Sequence, residues 1–314
     1  MRLKPKVGPA VYSPAWWEQR QFSFGASEAA AVCGLSRWNQ PLAVYESKCR
    51  PQDEKHKATE EQRRGHRFES VVLDMYEEKV GGTIYTNPPM LIHPEHEFMS
   101  ASPDALWTDE IKSAAIEKLG WSYALDYIPV DAKTTMHSGE FGEPGTDDIP
   151  QEYVMQAQQQ MAVTDAKRCD LPVLFPNYQM RVYKVERCDS LIGLILDAER
   201  EMLERIRNQD PPPPNWSHPK TYELIRAVHG VTGESVHMSE QATLLWAENE
   251  ELGKKINDLR HQVDLNKAKV LHEMGDAGIG HMTDGRQLIR KRIKREAREV
   301  KATEYTSLRC KKNF

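Results

Sequence analysis

The chain has 314 residues, 39% hydrophobic and 28% charged, with a net charge of −5, the balance of a globular protein long enough for a sizeable core. No apolar run approaches the ~20 residues that span a bilayer and the basic amino terminus lacks a signal-peptide core, so a cytoplasmic protein without a membrane partner is expected. Five scattered cysteines without a CxxC pair exclude a disulfide framework and a zinc site, and leave a four-cysteine iron–sulfur cluster without its spacing.

The elements read as mixed α/β up to about residue 217. Ala26–Gly34 is a short helix, capped by Ser27 or by the turn at Gly25. Pro41 opens a second helix, PLAVYESKC. A longer helix covers about Lys57–Val80. It places Phe68, Val71, Val72, Met75, Tyr76 and Val80 on one face and stops at Gly81-Gly82. Strands are predicted at 90–94, 98–102 and 127–133. A helix with the stripe Tyr153, Ala157, Met161 and Thr164 runs over Pro150–Thr164. Strands at 171–176 and 179–186 and a helix from Ser190 to Arg207 complete a central sheet flanked by helices.

Pro211 to Pro214 break the chain. Residues 218–314 read as a C-terminal extension with a long helix over about 239–275 and a basic tail. Within that helix Leu252, Ile256, Leu259, Val263, Asn266 and Val270 step by three and four. The same pattern serves a coiled coil or a helix packed on its own domain. Asp284-Gly285 suits a hairpin turn. Residues 281–314 hold eleven lysines or arginines against four acids, so the negative overall charge does not exclude a polyanionic partner. The tail KRIKREAREVK reads equally as a phosphate-tracking segment or a solvated face.

The chemistry is concentrated in Ser102-Pro103-Asp104 and Val130-Asp131-Ala132-Lys133. Residues two apart on a strand share a face, so Asp131 and Lys133 stand together, with Asp104 converging from a neighbouring strand. Two carboxylates and a lysine can hold a hard divalent cation and a water for phosphodiester hydrolysis. The Ala132 carbonyl is a further oxygen ligand. Taken alone, these residues also suit a solvated strand. Glu69 adds a carboxylate beside the apolar face of the long helix. Gln156–Gln160 form either a solvated face or a set of amides for water and phosphate.

The ordered run Arg20…Gly25-Ala26-Ser27-Glu28-Ala29-Ala30, Gly65…Glu69, Ser102-Pro103-Asp104-Ala105, Asp131-Ala132-Lys133 and Tyr153…Gln156-Ala157-Gln158…Met161-Ala162-Val163-Thr164 resembles the YqaJ and lambda-exonuclease family, from Arg20 to about Trp216. The resemblance implies a PD-(D/E)xK restriction-endonuclease-like core over residues 1–217. It implies catalytic Glu69, Asp104, Asp131, Lys133 and Gln158. Two Mg²⁺ or Mn²⁺ ions are implied at Asp104, Asp131, the Ala132 carbonyl and Glu69. A 5′-phosphate contact is implied at Arg20 and Ser27, where a helix cap at Ser27 is the competing reading. The implied activity is a 5′→3′ exonuclease on double-stranded DNA ends in a bacterial host. It leaves 3′ single strands for an annealing protein, and the enzyme is a homo-oligomer such as a trimeric ring. Two other readings are an endonuclease of the same fold and a non-catalytic DNA-binding or assembly module. The stretch between Asp104 and Asp131, including IKSAAIEKLGWSYALDY, reads as an insertion, and Asp131 stands where the family often has Glu.

Overall fold

A computed structural model describes residues 4–50, 59–109, 127–230, 232 and 234–293. The predicted insertion after Asp109 and most of the basic tail lie outside the described residues. The chain divides into two units, Met1–His229 and Gly230–Phe314. The first extends past the four prolines because the segment after them is tied back. Gln40 donates to the Thr221 hydroxyl (2.9 Å) and accepts from Asn215 N–H (2.8 Å).

The first unit carries two mixed sheets. The smaller joins β1 (Lys6–Val7), β2 (Phe24–Gly25), β4 (Leu91–Ile92) and β5 (Met99–Ala101) in the order β1-β4-β5-β2, with β2 parallel to β5. The larger holds β3 (Thr83–Thr86), β6 (Ala105–Thr108), β7 (Ile128–Val130), β9 (Arg168–Leu174) and β10 (Met180–Glu186) in the order β10-β9-β7-β6-β3. A short β8 (Lys133–Thr134) pairs parallel with β9. The predicted strand 127–133 is therefore two strands, and Asp131 and Ala132 form the break between them.

Helices α1 (Pro14–Phe22), α2 (Ala29–Val32), α3 (Pro41–Cys49), α4 (Glu60–Val80), α5 (Gln151–Thr164), α6 (Asp189–Asn208) and α7 (Thr221–Val228) surround these sheets. The long predicted helix is described from Glu60, because Thr59 and Gln62 form a reciprocal capping box there. It ends at Gly81 with φ +68, a conformation that favours glycine. A Cβ on the following Gly82 would lie 2.5 Å from the Thr108 carbonyl, so the helix can meet the β6 edge only through glycine. Val72, Leu73 and Tyr76 of α4 pack on Ala105, Val130 and Val182 of the larger sheet.

Helix α5 belongs to both main cores. Ala157 and Met161 join Leu171, Val173 and Tyr183, while Met155, Ala162 and Val163 join Ala29, Ala30, Met99 and Ile195. Apolar neighbours on both sides explain why Gln158, Gln159 and Gln160 are buried rather than a solvated face. The predicted helix at Ala26 is a 3₁₀ turn (Ala26–Glu28) continued by α2. Its N-cap is Gly25, not Ser27, because Glu28 reaches back to accept from Gly25 N–H at 2.8 Å.

In the second unit, α8 spans Glu240–Met274 with Ser239 accepting from Ala242 N–H at 3.1 Å. None of its residues is buried. An antiparallel hairpin follows, β11 (Ile279–His281) and β12 (Gln287–Ile289), turning at Gly285 with φ +84. No helix among the described residues is long and apolar enough to cross a membrane.

Candidate active site

Asp104 lies at the entry to β6. Its N–H donates to the Val130 carbonyl and its own carbonyl accepts from Asn87 N–H, both at 3.1 Å. Its carboxylate accepts from Ala132 N–H at 2.8 Å. The strand break at Asp131-Ala132 thus serves the site, because it frees that amide from the ladder for Asp104. Asp131 is buried and anchored through its own N–H on the Asp170 carbonyl (3.0 Å). The Lys133 ammonium lies against its Oδ2.

Helix α5 closes the site from the other side. Gln156 and Gln160, one turn apart, both donate to Asp131 Oδ1, at 3.1 and 3.0 Å. Gln156 Oε1 also accepts from Lys133 Nζ at 3.3 Å. One amide therefore ties the carboxylate to the ammonium. The Tyr153 ring lies 5.2 Å from Nζ, a cation–π contact that further fixes the lysine.

Burial drives Asp104 well above the usual carboxylate range, and the neighbouring Asp131 pushes the same way; Lys133 and Ala132 N–H offset only part of this. Burial pulls Lys133 down, but Asp131 and Asp104 outweigh it, so its pKa rises and the ammonium stays charged. The buried Asp131 and the partly buried Asp104 facing one ammonium leave the cluster short of positive charge. Their oxygens suit a hard divalent cation.

Glu69 is close enough to raise the Asp104 pKa, but its carboxylate faces His66 Nδ1 at 3.4 Å. Among the described residues no three acidic, histidine or cysteine side chains already converge as a metal cluster. Gln158 is not brought to the site. Its amide donates to the Glu186 carbonyl and accepts from Cys188 N–H, both at 2.8 Å. The residues facing Asp131 are instead Gln156 and Gln160, and their i, i+4 spacing is the sequence signal that separates them from Gln158.

Arg20 and Ser27 belong to a neighbouring cluster. The Arg20 guanidinium pairs with Glu28 (3.1 Å) and lies 5.0 Å from the Trp16 ring. A Cβ on Gly25 would come within 2.7 Å of Arg20 Nη1, so glycine there makes room for the guanidinium. Glu28 also pairs with Lys48 at 2.9 Å. Burial pushes Glu28 up, but Lys48, Arg20 and Gly25 N–H prevail, and it stays ionised. Two cations share this single carboxylate. Ser27 stands exposed on the 3₁₀ turn. Trp16 links the two clusters, donating through Nε1 to the Ser102 hydroxyl at 3.2 Å, two residues before Asp104. Glu28 and Lys48 were not among the predicted site residues.

Residues 15–167 match the family model of the YqaJ-like viral recombinase domain. Over 269 residues the chain is 23% identical to the uncharacterized protein YqaJ of Bacillus subtilis (strain 168), covering 84% of this chain and 79% of that one. Among solved structures, an alkaline exonuclease from Laribacter hongkongensis is similar at 20% identity, over 68% of this chain and 97% of the other, with a TM-score of 0.47. A phage-related exonuclease from Haemophilus somnus 129PT is similar at 12% identity, over 61% and 99%, with a TM-score of 0.42.

Proposed function

We propose that residues 15–167, which match the family model of the YqaJ-like viral recombinase domain, carry the site of a divalent-cation-dependent deoxyribonuclease that works 5′→3′ from the ends of linear double-stranded DNA. The observation that carries this reading is the convergence of Asp104, the buried Asp131 and Lys133, held by the Ala132 amide and Gln156. Asp104, Asp131 and the Ala132 carbonyl would hold Mg²⁺ or Mn²⁺, two ions in all, with Glu69 close by. When bound, the ion supplies Lewis-acid polarisation and charge neutralisation at the scissile phosphate.

The chain's own residues do the rest. The charged Lys133 donates a hydrogen bond to the attacking water or to the phosphate oxygen that gains charge. Gln156 fixes the ammonium so that it need not reorganise during reaction. Water adds to phosphorus, the bond to the 3′ oxygen breaks, and the new end carries a 5′ phosphate. The cluster of Arg20 and Lys48 around Glu28, with the Ser27 hydroxyl, suits that terminal phosphate. The residual 3′ strand is the substrate of a single-strand annealing protein, and a closed ring such as a trimer would keep the enzyme on its duplex.

The test is degradation of a duplex labelled at either end, with and without a 5′ phosphate, in Mg²⁺ and in chelator. Mg²⁺-dependent loss of the 5′-phosphorylated strand supports the reading. Cutting of closed circular DNA means an endonuclease, and binding without cleavage means a DNA-binding module. Arg20→Ala is expected to lower the preference for a phosphorylated over a hydroxyl end by about tenfold, the loss of one charge-assisted contact, measured as the ratio of initial rates on the two substrates.

Glutamine exchanges on α5 separate chemistry from scaffold. Gln156→Ala is expected to slow cleavage about 10²-fold with a melting temperature near wild type, since its partners keep each other. Gln158→Ala orphans the Cys188 N–H and Glu186 carbonyl, and is expected to cost about 1–3 kcal/mol of stability with little change in rate. Thermal melts beside initial rates read both. Equal effects on rate from the two variants would remove the distinction.

A further inference from the structure

Helix α8 is 35 residues long with none of them buried, a length of about 52 Å at 1.5 Å per residue. A helix that long is not expected to leave an apolar seam in water. Its seam is ordered at seven-residue intervals. Leu245, Leu252 and Leu259 form one line and Ile256, Val263 and Val270 the adjacent line, with exposures between 42% and 59%. In parallel pairs, leucine on one line with β-branched residues on the other favours two strands over three or four; here that composition points to the strand number, and the flanking charges decide the direction. Two asparagines interrupt the seam, Asn249 in the β-branched line and Asn266 in the leucine line.

These interruptions set a register. In an antiparallel pair each residue of one line faces the other line of the second helix. Centring the pair between Asn257 and Asp258 places Ile256 of one copy on Leu259 of the other. It also places Val263 on Leu252 and Val270 on Leu245. In the same register Asn249 of one copy meets Asn266 of the other, so each buried amide has an amide partner. Sliding the pair by one heptad sets asparagine against leucine or isoleucine, which strands the amide.

The flanking charges choose the direction. In the antiparallel register Glu248 of one copy meets Lys269 of the other, twice by symmetry. Lys267 falls beside the Trp246 ring, a cation–π pairing, and Lys255 and Arg260 fall beside Gln262 and Gly253. In a parallel pair Lys255 would face Arg260 of the other copy, twice, and Glu248 would face Gly253. Like charges at these positions oppose assembly.

We propose that α8 pairs with α8 of a second copy of this chain as an antiparallel two-stranded coiled coil in this register, independently of the nuclease reading. The test uses the full chain in light scattering and equilibrium sedimentation at micromolar concentration, and expects an even number of chains: a dimer, or a hexamer of two joined rings where the ring is a trimer; a lone trimer overturns the pairing. Glu248→Lys is expected to weaken the pairing about tenfold, through loss of two attractive pairs and gain of two repulsive ones. Adding Lys269→Glu to the same chain restores it to within about threefold, because the exchanged pair attracts again.

Direction is read by disulfides. Leu245→Cys chains mixed with Val270→Cys chains should link 245 to 270 under mild oxidation, located by peptide mass. Neither variant alone should link to itself at that position, since like positions lie about 38 Å apart in the antiparallel register. Linkage of 245 to 245 means a parallel pair and overturns the proposal. A monomeric wild-type chain overturns it as well. Failure of the double charge exchange to restore pairing overturns the register.

Discussion

Lys133→Ala is expected to abolish DNA degradation to within measurement, a loss of about 10²–10³-fold or more, while the protein still folds. Among the described residues the ammonium is the one cation in contact with Asp131, and Gln156 aims it, so alanine removes the group that holds the water or the developing charge. The same substitution leaves the buried Asp131, and the partly buried Asp104 beside it, without that counter-charge. Breaking a buried pair costs about 3–5 kcal/mol, so the metal-free variant should melt well below wild type. Mg²⁺ should then stabilise the variant more than the wild type, because it replaces the lost positive charge as well as filling its own site. Initial rates on an end-labelled duplex, with melts in chelator and in Mg²⁺, test both halves. Wild-type rates in the variant would make Lys133 a counter-ion only. Equal Mg²⁺ shifts in variant and wild type would place the cation elsewhere.

Much of this site was legible from local spacing. Asp131 and Lys133 are two residues apart on a strand-forming segment, and Ser102-Pro103-Asp104 follows another, so their meeting needed only the two strands to be neighbours. The break in that strand was not legible. Whether Ala132 N–H serves a ladder or the Asp104 carboxylate depends on β9, some forty residues downstream. The glutamines of α5 show the same limit. A run of Gln156 to Gln160 looks polar all round, and only a helix packed against both sheets makes three of them buried and sorts Gln156 and Gln160 from Gln158. Ser27 reads locally as a helix cap, but Glu28 supplies the carboxylate that closes that turn. The cluster of Arg20, Glu28 and Lys48 joins α1, a 3₁₀ turn and α3, a convergence that no periodicity encodes.

Glu199→Gln is expected to stabilise the protein at pH 8 by about 1–3 kcal/mol and to be nearly neutral near pH 4.5. Glu199 is fully buried on α6, and neither carboxyl oxygen has a hydrogen-bond partner among the described residues. It lies within reach of Gln159, whose Nε2 is already committed to the Phe24 and Ser100 carbonyls at 2.8 and 3.1 Å. Gln159 Oε1 likewise has no hydrogen-bond partner among the described residues. Burial first, and Glu28 second, push its pKa well above the usual range, with Lys48 and Gln159 offsetting part. A carboxyl raised on folding contributes stability that is fully present below its unfolded pKa and is lost as pH rises through the folded one. Glutamine has no proton to lose and can donate its amide to Gln159 Oε1, so its advantage over wild type should grow with pH across that window. Thermal melts at pH 4.5, 6 and 8 test this, with Glu199→Ala as the cavity control that loses stability at every pH. An advantage that shrinks as pH rises would mean an ionised Glu199 paired with Lys48. The distinction reaches the proposed phosphate site. With Glu199 neutral, Arg20 and Lys48 answer to Glu28 alone, and the cluster keeps one positive charge for a DNA end. With Glu199 ionised, that surplus is cancelled.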